Sequence, residues 1–198
     1  MKGQLFKDAR SRDRALRMGM ALFLASLGML FAAGLVGYVV VRLQVGWPDD
    51  LPGLPPILWL STIVLAASSA SMQSSVNAAR RGATGRLKSM MTITLFLAVL
   101  FLLMQWAAWS AWYAEVEPHW AESDSYRWAL TSFFVMTGIH AAHVLGGLVP
   151  IFLVTGRAFA GAYATSRFIG VQMCAMYWHF LGTVWLVLFV SLLLGSRS

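Results

Sequence analysis

Five apolar runs divide this chain, at about 18–41, 57–76, 90–112, 128–155 and 168–194. A helix rising about 1.5 Å per residue needs roughly 20 such residues to cross the hydrocarbon of a bilayer, and each run supplies them. Water is absent at that depth, so a spanning segment must close its backbone hydrogen bonds within itself, as a helix. The expected fold is all-α: a polytopic membrane bundle of five transmembrane helices, one domain over 18–195. Composition agrees, with 59% hydrophobic and 12% charged residues and a mean hydropathy of +0.68, far from a soluble domain. The first 17 residues are polar and basic, and the run after them is too long for a cleavable signal peptide. That run is read as the first membrane helix, with 1–17 as a cytoplasmic basic arm, amphipathic or flexible.

Charge in the breaks predicts orientation. Lys2, Lys7, Arg10, Arg12, Arg14 and Arg17 precede the first run; Arg80, Arg81, Arg86 and Lys88 follow the second; Arg157 and Arg167 lie between the fourth and fifth. These twelve fall on one side, against Arg42, Arg127 and Arg197 on the other. The positive-inside rule makes the first side cytoplasmic, so the N-terminus is inside and the C-terminus outside. Six of the eight acids, Asp49, Asp50, Glu115, Glu117, Glu122 and Asp124, fall outside. The net charge of +7 hugs the membrane spans rather than forming a basic domain, which argues against a nucleic-acid partner.

Within the runs, Gly28, Gly34 and Gly37 are expected to allow close helix contact, a main source of association energy in lipid. Ser68, Ser69, Ser71, Gln73, Ser74, Ser75 and Asn77 read as interhelical hydrogen-bonding groups, with a polar conduit as the alternative. Trp106, Trp109, Trp112 and Tyr113 crowd one end of the third run, as aromatic residues do at a membrane–water interface. The 47–56 loop contains Pro48, Pro52, Pro55 and Pro56, which stop one helix and precede the next.

Chemistry narrows to a few polar groups. His140 and His143 stand three residues apart and share a helix face; His179 lies inside the fifth run, and Gln105 and Gln172 inside the third and fifth. All eight carboxylates fall in breaks or in the arm, which argues against autonomous proton pumping, a task that needs titratable groups at depth. Haem between His143 and His179 requires the fourth and fifth helices to be neighbours at matched depth. A metal site would want further ligands. The other reading is hydrogen bonding inside the bundle, worth about 1–3 kcal/mol for a buried group such as His140. Cys174, the single cysteine, reads as a small buried apolar residue. Arg157, at the cytoplasmic end of the fourth helix, suits a lipid phosphate held by two guanidinium hydrogen bonds, or else is an ordinary snorkelling cation.

Phe133-Phe134-Val135-Met136-Thr137-Gly138-Ile139-His140-Ala141-Ala142-His143-Val144-Leu145-Gly146-Gly147 resembles the signature helix of haem–copper (cytochrome c) oxidase subunit III. Tyr177-Trp178-His179-Phe180 with Val184-Trp185 resembles that family's last helix, Leu103-Met104-Gln105 its middle and Phe23-Leu24-Ala25-Ser26 its first motif. The likeness runs from about 18 to 195, and five helices match the short bacterial form. It departs at Leu27, Ala108, Gln172 and Gly182, where the family commonly has acids, which marks a divergent branch.

The resemblance implies a non-redox, lipid-binding subunit of a respiratory terminal oxidase in the bacterial inner (plasma) membrane, supporting stability and proton uptake of the catalytic subunit. Haem and copper would sit in partner subunits and none in this chain. Subunit I would be the direct partner, with subunit II and structural phospholipid. By position, His143 and Arg157 match lipid-associated family residues, and His140, His179, Gln105 and Gln172 match polar residues of the bundle interior. The acidic outer loops suit a basic donor such as cytochrome c. The alternatives are a subunit of a quinol oxidase or of a nitric oxide reductase, or an independent haem-b membrane protein.

Overall fold

The computed structural model describes residues 2–45, 53–119, 124–163 and 168–195, with side-chain surroundings from residue 11 onward (His119 apart). The 47–52 part of the proline loop, and the charges at Glu122, Arg167 and Arg197, lie outside the described residues. The chain runs as α1 (Lys2–Val45), α2 (Ile57–Arg80), α3 (Thr84–Val116), a 3-10 turn (Glu117–His119), α4 (Asp124–Phe159) and α5 (Ile169–Gly195). Five helices are long and apolar enough to cross a membrane.

The helices overrun the apolar runs. Residues 2–17, expected as an arm, are helical and pass into the first span without a break. Their Ala, Arg, Leu and Lys content favours helix, and no proline interrupts it. Two helices stop where a glycine turns the chain. Gly82 follows α2 with φ +67° and Gly161 follows α4 with φ +76°, both in the left-handed region. Ala83 N–H then donates to Ala78 O (3.0 Å) and Gly82 N–H to Ala79 O (3.1 Å), the paired bonds that close a helix end on a left-handed glycine. Ala162 N–H to Arg157 O (3.0 Å) and Gly161 N–H to Ala158 O (3.1 Å) repeat the arrangement beyond α4. Helix termini are thus set by turn chemistry, and the edge of the apolar run does not mark them.

Helices α2, α3, α4 and α5 pack in a closed ring, each against the next and α5 back against α2; α1 lies outside, in the groove between α4 and α5. Leu65, Met72, Met91, Phe101, Trp178 and Trp185 fill the ring's centre. Leu27 and Phe31 of α1 meet Met136 and Leu188 in a separate apolar cluster. Leu22, Met29, Ile63, Phe96, Leu103, Val149 and Phe152 point outward, as lipid-facing side chains would. The aromatic group at the end of α3 divides: Trp106 is exposed, whereas Trp112 is buried 4.2 Å from the Phe133 ring. One residue of that expected interfacial belt, Trp112, is core packing between α3 and α4.

Helix α2 is tied to its two neighbours by hydroxyls from its serine-rich half, Ser68 and Ser71, and from its first turns, Ser61 and Thr62. Ser71 Oγ and Thr94 Oγ1 of α3 lie 2.8 Å apart, and Gln105 Nε2 donates to Ser61 Oγ at 2.9 Å. On the other side, Trp178 Nε1 donates to Ser68 Oγ (3.1 Å) and Trp185 Nε1 to Thr62 Oγ1 (3.0 Å). Ser61, Ser68 and Ser75 are fully buried, and these are packing bonds of the kind expected.

Small residues set the helix spacings. A Cβ on Gly147 would stand 2.9 Å from the Tyr177 ring and 3.2 Å from Leu181 Cδ1, so α4 and α5 approach on that face only because glycine lies there. On α1, a Cβ at Gly34 would stand 2.8 Å from Met136 Sδ, a flexible side-chain end that can move aside, while Gly37 faces open space and Gly28 only ordinary contact with Phe180. The expected glycine face of α1 is therefore one residue deep.

Ser61→Ala strands the buried Gln105 amide and is expected to lower thermal stability by about 1 kcal/mol. Adding Gln105→Met should recover most of that loss in a thermal-unfolding assay; equal losses in the single and double variants would show that the bond contributes nothing.

Candidate lipid-binding site

Proline 150 interrupts the hydrogen bonding of α4 from inside, removing the donor that would close on the Gly146 carbonyl. Gly146 and Pro150 together leave a trough on this helix, and α1 and α5 wall it. The resulting cavity, about 430 Å³, is lined by Met20 and Phe23 of α1, by Leu153 and Val154 of α4, and by Met173 and Tyr177 of α5. Arg157 closes it at the end where α4 stops and α5 begins. The site is an apolar channel with one guanidinium at its mouth.

Tyr163, in the turn after α4, stands beside that guanidinium. It is buried, with the Arg157 charge beside it, and its hydroxyl sits where a Cβ on Gly170 would come within 3.1 Å. Burial raises the phenol above its ordinary pKa while the adjacent Arg157 charge opposes the rise. A guanidinium has five donors, so Arg157 can offer a parallel pair of them to an anion at the mouth. Sequence reading passed over Tyr163; its signal was a lone aromatic in an otherwise small-residue loop.

His143 does not line this cavity. Its Nδ1–H donates to Ile139 O (2.8 Å), and its ring meets Phe31 of α1 edge-on at 5.4 Å. The Tyr177 hydroxyl, a wall of the cavity, donates to the His143 carbonyl (3.0 Å). Fourteen residues separate His143 from Arg157, roughly 21 Å along the helix. One head group cannot touch both, so in this cavity Arg157 stands at the mouth while His143 contributes only its carbonyl to Tyr177.

The four polar residues expected inside the bundle divide. Gln105 is buried, and so is His140 at 1% exposure. His179 and Gln172 are only half-buried: His179 Nε2 lies 3.3 Å from Gln73 Oε1 of α2, and Gln172 Oε1 accepts from Arg17 Nη2 at 2.8 Å. They sit on the flank of α5 because that helix turns its Trp178 and Trp185 inward instead. His140 also differs from expectation in its bonding. Neither of its ring nitrogens has a hydrogen-bond partner among the described residues, and the ring lies between Phe31 (6.1 Å) and Trp185 (5.4 Å). It fills space as an aromatic ring.

The histidines do not converge on one ion. His143 faces α1, and His179 faces Gln73 of α2 across the other flank of α5. Among the described residues no three His, Cys, Asp or Glu side chains cluster as a metal site. Haem ligation by His143 and His179 would need both rings to leave the partners they hold.

A family model described as "Cytochrome c oxidase subunit III" matches residues 6–196, nearly the full length. The chain belongs to the cytochrome c oxidase subunit III family. Among its relatives is cytochrome c oxidase subunit 3 of Corynebacterium diphtheriae, 29% identical over 189 residues that cover 93% of this chain and 90% of that one. A probable cytochrome c oxidase subunit 3 of Mycobacterium leprae is 29% identical, covering 90% and 87%. The Synechocystis protein is 30% identical, covering 88% and 74%. In this subunit III, the signature-helix motif spends one histidine on the α1 contact and the other on core packing.

His140→Phe keeps the aromatic stack and removes two unpaired nitrogens, so it should leave thermal stability unchanged or raised. His140→Leu should be the less stable of the two, having lost the ring contacts with Phe31 and Trp185. A loss above about 1 kcal/mol in the phenylalanine variant would mean that the imidazole nitrogens are bonded in the folded protein.

Proposed function

We propose that this chain serves as a non-redox, lipid-holding subunit III of a respiratory terminal oxidase, steadying the catalytic subunit and sustaining its proton uptake. One observation supports the lipid reading above the rest: an apolar channel of about 430 Å³ that ends on Arg157. A phospholipid is amphipathic in the same sense, with a phosphate that accepts two parallel guanidinium bonds and an acyl chain that needs walls such as Phe23, Leu153 and Met173. Tyr163 stands at the head-group end, and the Tyr177–His143 bond keeps α4 and α5 together.

The assembly reading follows from the family: its members are subunits of cytochrome c oxidase, and the direct partner here is the haem–copper subunit I, with subunit II beside it. Haem and copper sit in those partners. In the membrane, the basic ends of α2 and α4 face the cytoplasm, and the chain resides in a bacterial inner membrane with its N-terminus inside.

Arg157→Ala should weaken phospholipid retention about fivefold, the worth of one basic side chain at a lipid phosphate, and shorten the turnover lifetime of the complex. His143→Ala should leave head-group retention unchanged. Gentle purification from native membranes with lipid and protein mass spectrometry reads both, and also the partners. Wild-type lipid content in the Arg157 variant would refute the head-group assignment, and co-purification of nitric oxide reductase subunits in place of oxidase subunits I and II would refute the assembly.

A further inference from the structure

The opposite flank of α5 carries a second cationic cavity that the Arg157 channel does not use. Arg17 of α1, Gln73 and Arg80 of α2, and Gln172, Met176 and His179 of α5 enclose about 250 Å³. Arg17 Nη2 donates to Gln172 Oε1 at 2.8 Å. That acceptor is a neutral amide, so it orients the guanidinium without cancelling its charge. Arg80 brings a second guanidinium to the same space, and among the described residues no carboxylate lines it. Two like charges sharing a pocket repel, and a bound anion relieves both.

The cavity continues into the membrane span. His179 forms a sill, bridged to Gln73, and beyond it lies a trough of about 310 Å³ lined by Thr62, Leu65, Ala66, Ser69, Gly182 and Leu186. Thr62 Oγ1 donates to Leu58 O (2.8 Å), and Thr183 Oγ1 at the trough's edge donates to His179 O (3.0 Å). Both hydroxyl protons are thus committed to backbone carbonyls, so neither threonine offers a donor to the trough. Gly182 holds the trough open: a Cβ there would stand 3.4 Å from Ser69 Oγ and project into it. Paired guanidinium groups thus stand at the basic end of the helices, where lipid phosphates lie, and a largely apolar trough runs inward from them.

We propose that the α2–α5 flank is a second phospholipid site, with the phosphate held by Arg17 and Arg80 and one acyl chain passing His179 into the trough at Gly182. It shares only the Met173 wall with the Arg157 channel, and its arginines are different, so it stands or falls without that channel. A free phosphate would need the arginines but not the trough.

The test uses the full chain in phosphatidylcholine nanodiscs doped with phosphatidylglycerol, with bound phosphatidylglycerol counted by native mass spectrometry. Each of Arg17→Gln and Arg80→Gln should weaken one phosphatidylglycerol about fivefold, and the double variant about 25-fold. Arg157→Gln should leave that lipid in place, so failure at one site is distinguishable from failure at the other. Gly182→Leu, which fills the trough, should also displace it, with an unchanged thermal transition confirming the fold. Wild-type retention in the double arginine variant overturns the site. Displacement by inorganic phosphate, with retention unaffected by Gly182→Leu, would also overturn the lipid assignment and leave only an anion pocket.

Discussion

The fold depends on the hydrogen bonds that α2 makes to both of its neighbours. Lipid tails are as apolar as leucine, so burying leucine between helices gains little over leaving it in lipid. Association must come from close packing and from polar groups that have nowhere else to go. In α2, Ser61 and Ser71 meet Gln105 and Thr94 of α3, while Thr62 and Ser68 accept from Trp185 and Trp178 of α5. One helix therefore sets the register of two others, and α4 completes the ring between them.

Helix α1 is held differently. It touches α4 and α5 through Leu27, Phe31 and the single tight glycine at Gly34, with few polar ties among the described residues. A helix applied from outside cannot seal both sides of the helix it leans on. The two cationic cavities open on either flank of α5, one reached by Met20 and Phe23 and the other by Arg17. Phospholipid in these places would complete the packing that α1 leaves unfinished, which is the physical reason behind the lipid binding we propose.

The signature helix shows how a motif can mislead about its chemistry. Two histidines one turn apart suggest a ligand pair or a hydrogen-bond relay. Yet Phe31 meets both rings edge-on, and their other sides serve different surfaces, His140 packing on Trp185 and His143 bonding back to Ile139 O. The departures from the family's acids are physically coherent. Gln172 accepts from Arg17 where a carboxylate would have neutralised it, and Gly182 opens a trough where an acid would have filled it.

By itself the sequence determined five membrane-spanning helices, the α2 serines as interhelical bonding groups, and Arg157 as a lone cation at a helix end. Each of these rests on local physics: hydrocarbon demands internally bonded backbone, and its thickness sets the length of a span. Tertiary structure alone decided that Trp112 is core, that a Cβ on Gly37 would meet open space, that His140 has no hydrogen-bond partner among the described residues and that His143 does not line the Arg157 channel. It also brought Tyr163 to Arg157 and Arg17 to Arg80. Periodicity places a residue on a helix face, but which neighbour that face meets depends on helix order and rotation. Those are fixed by contacts between residues far apart in the chain, which no local pattern encodes.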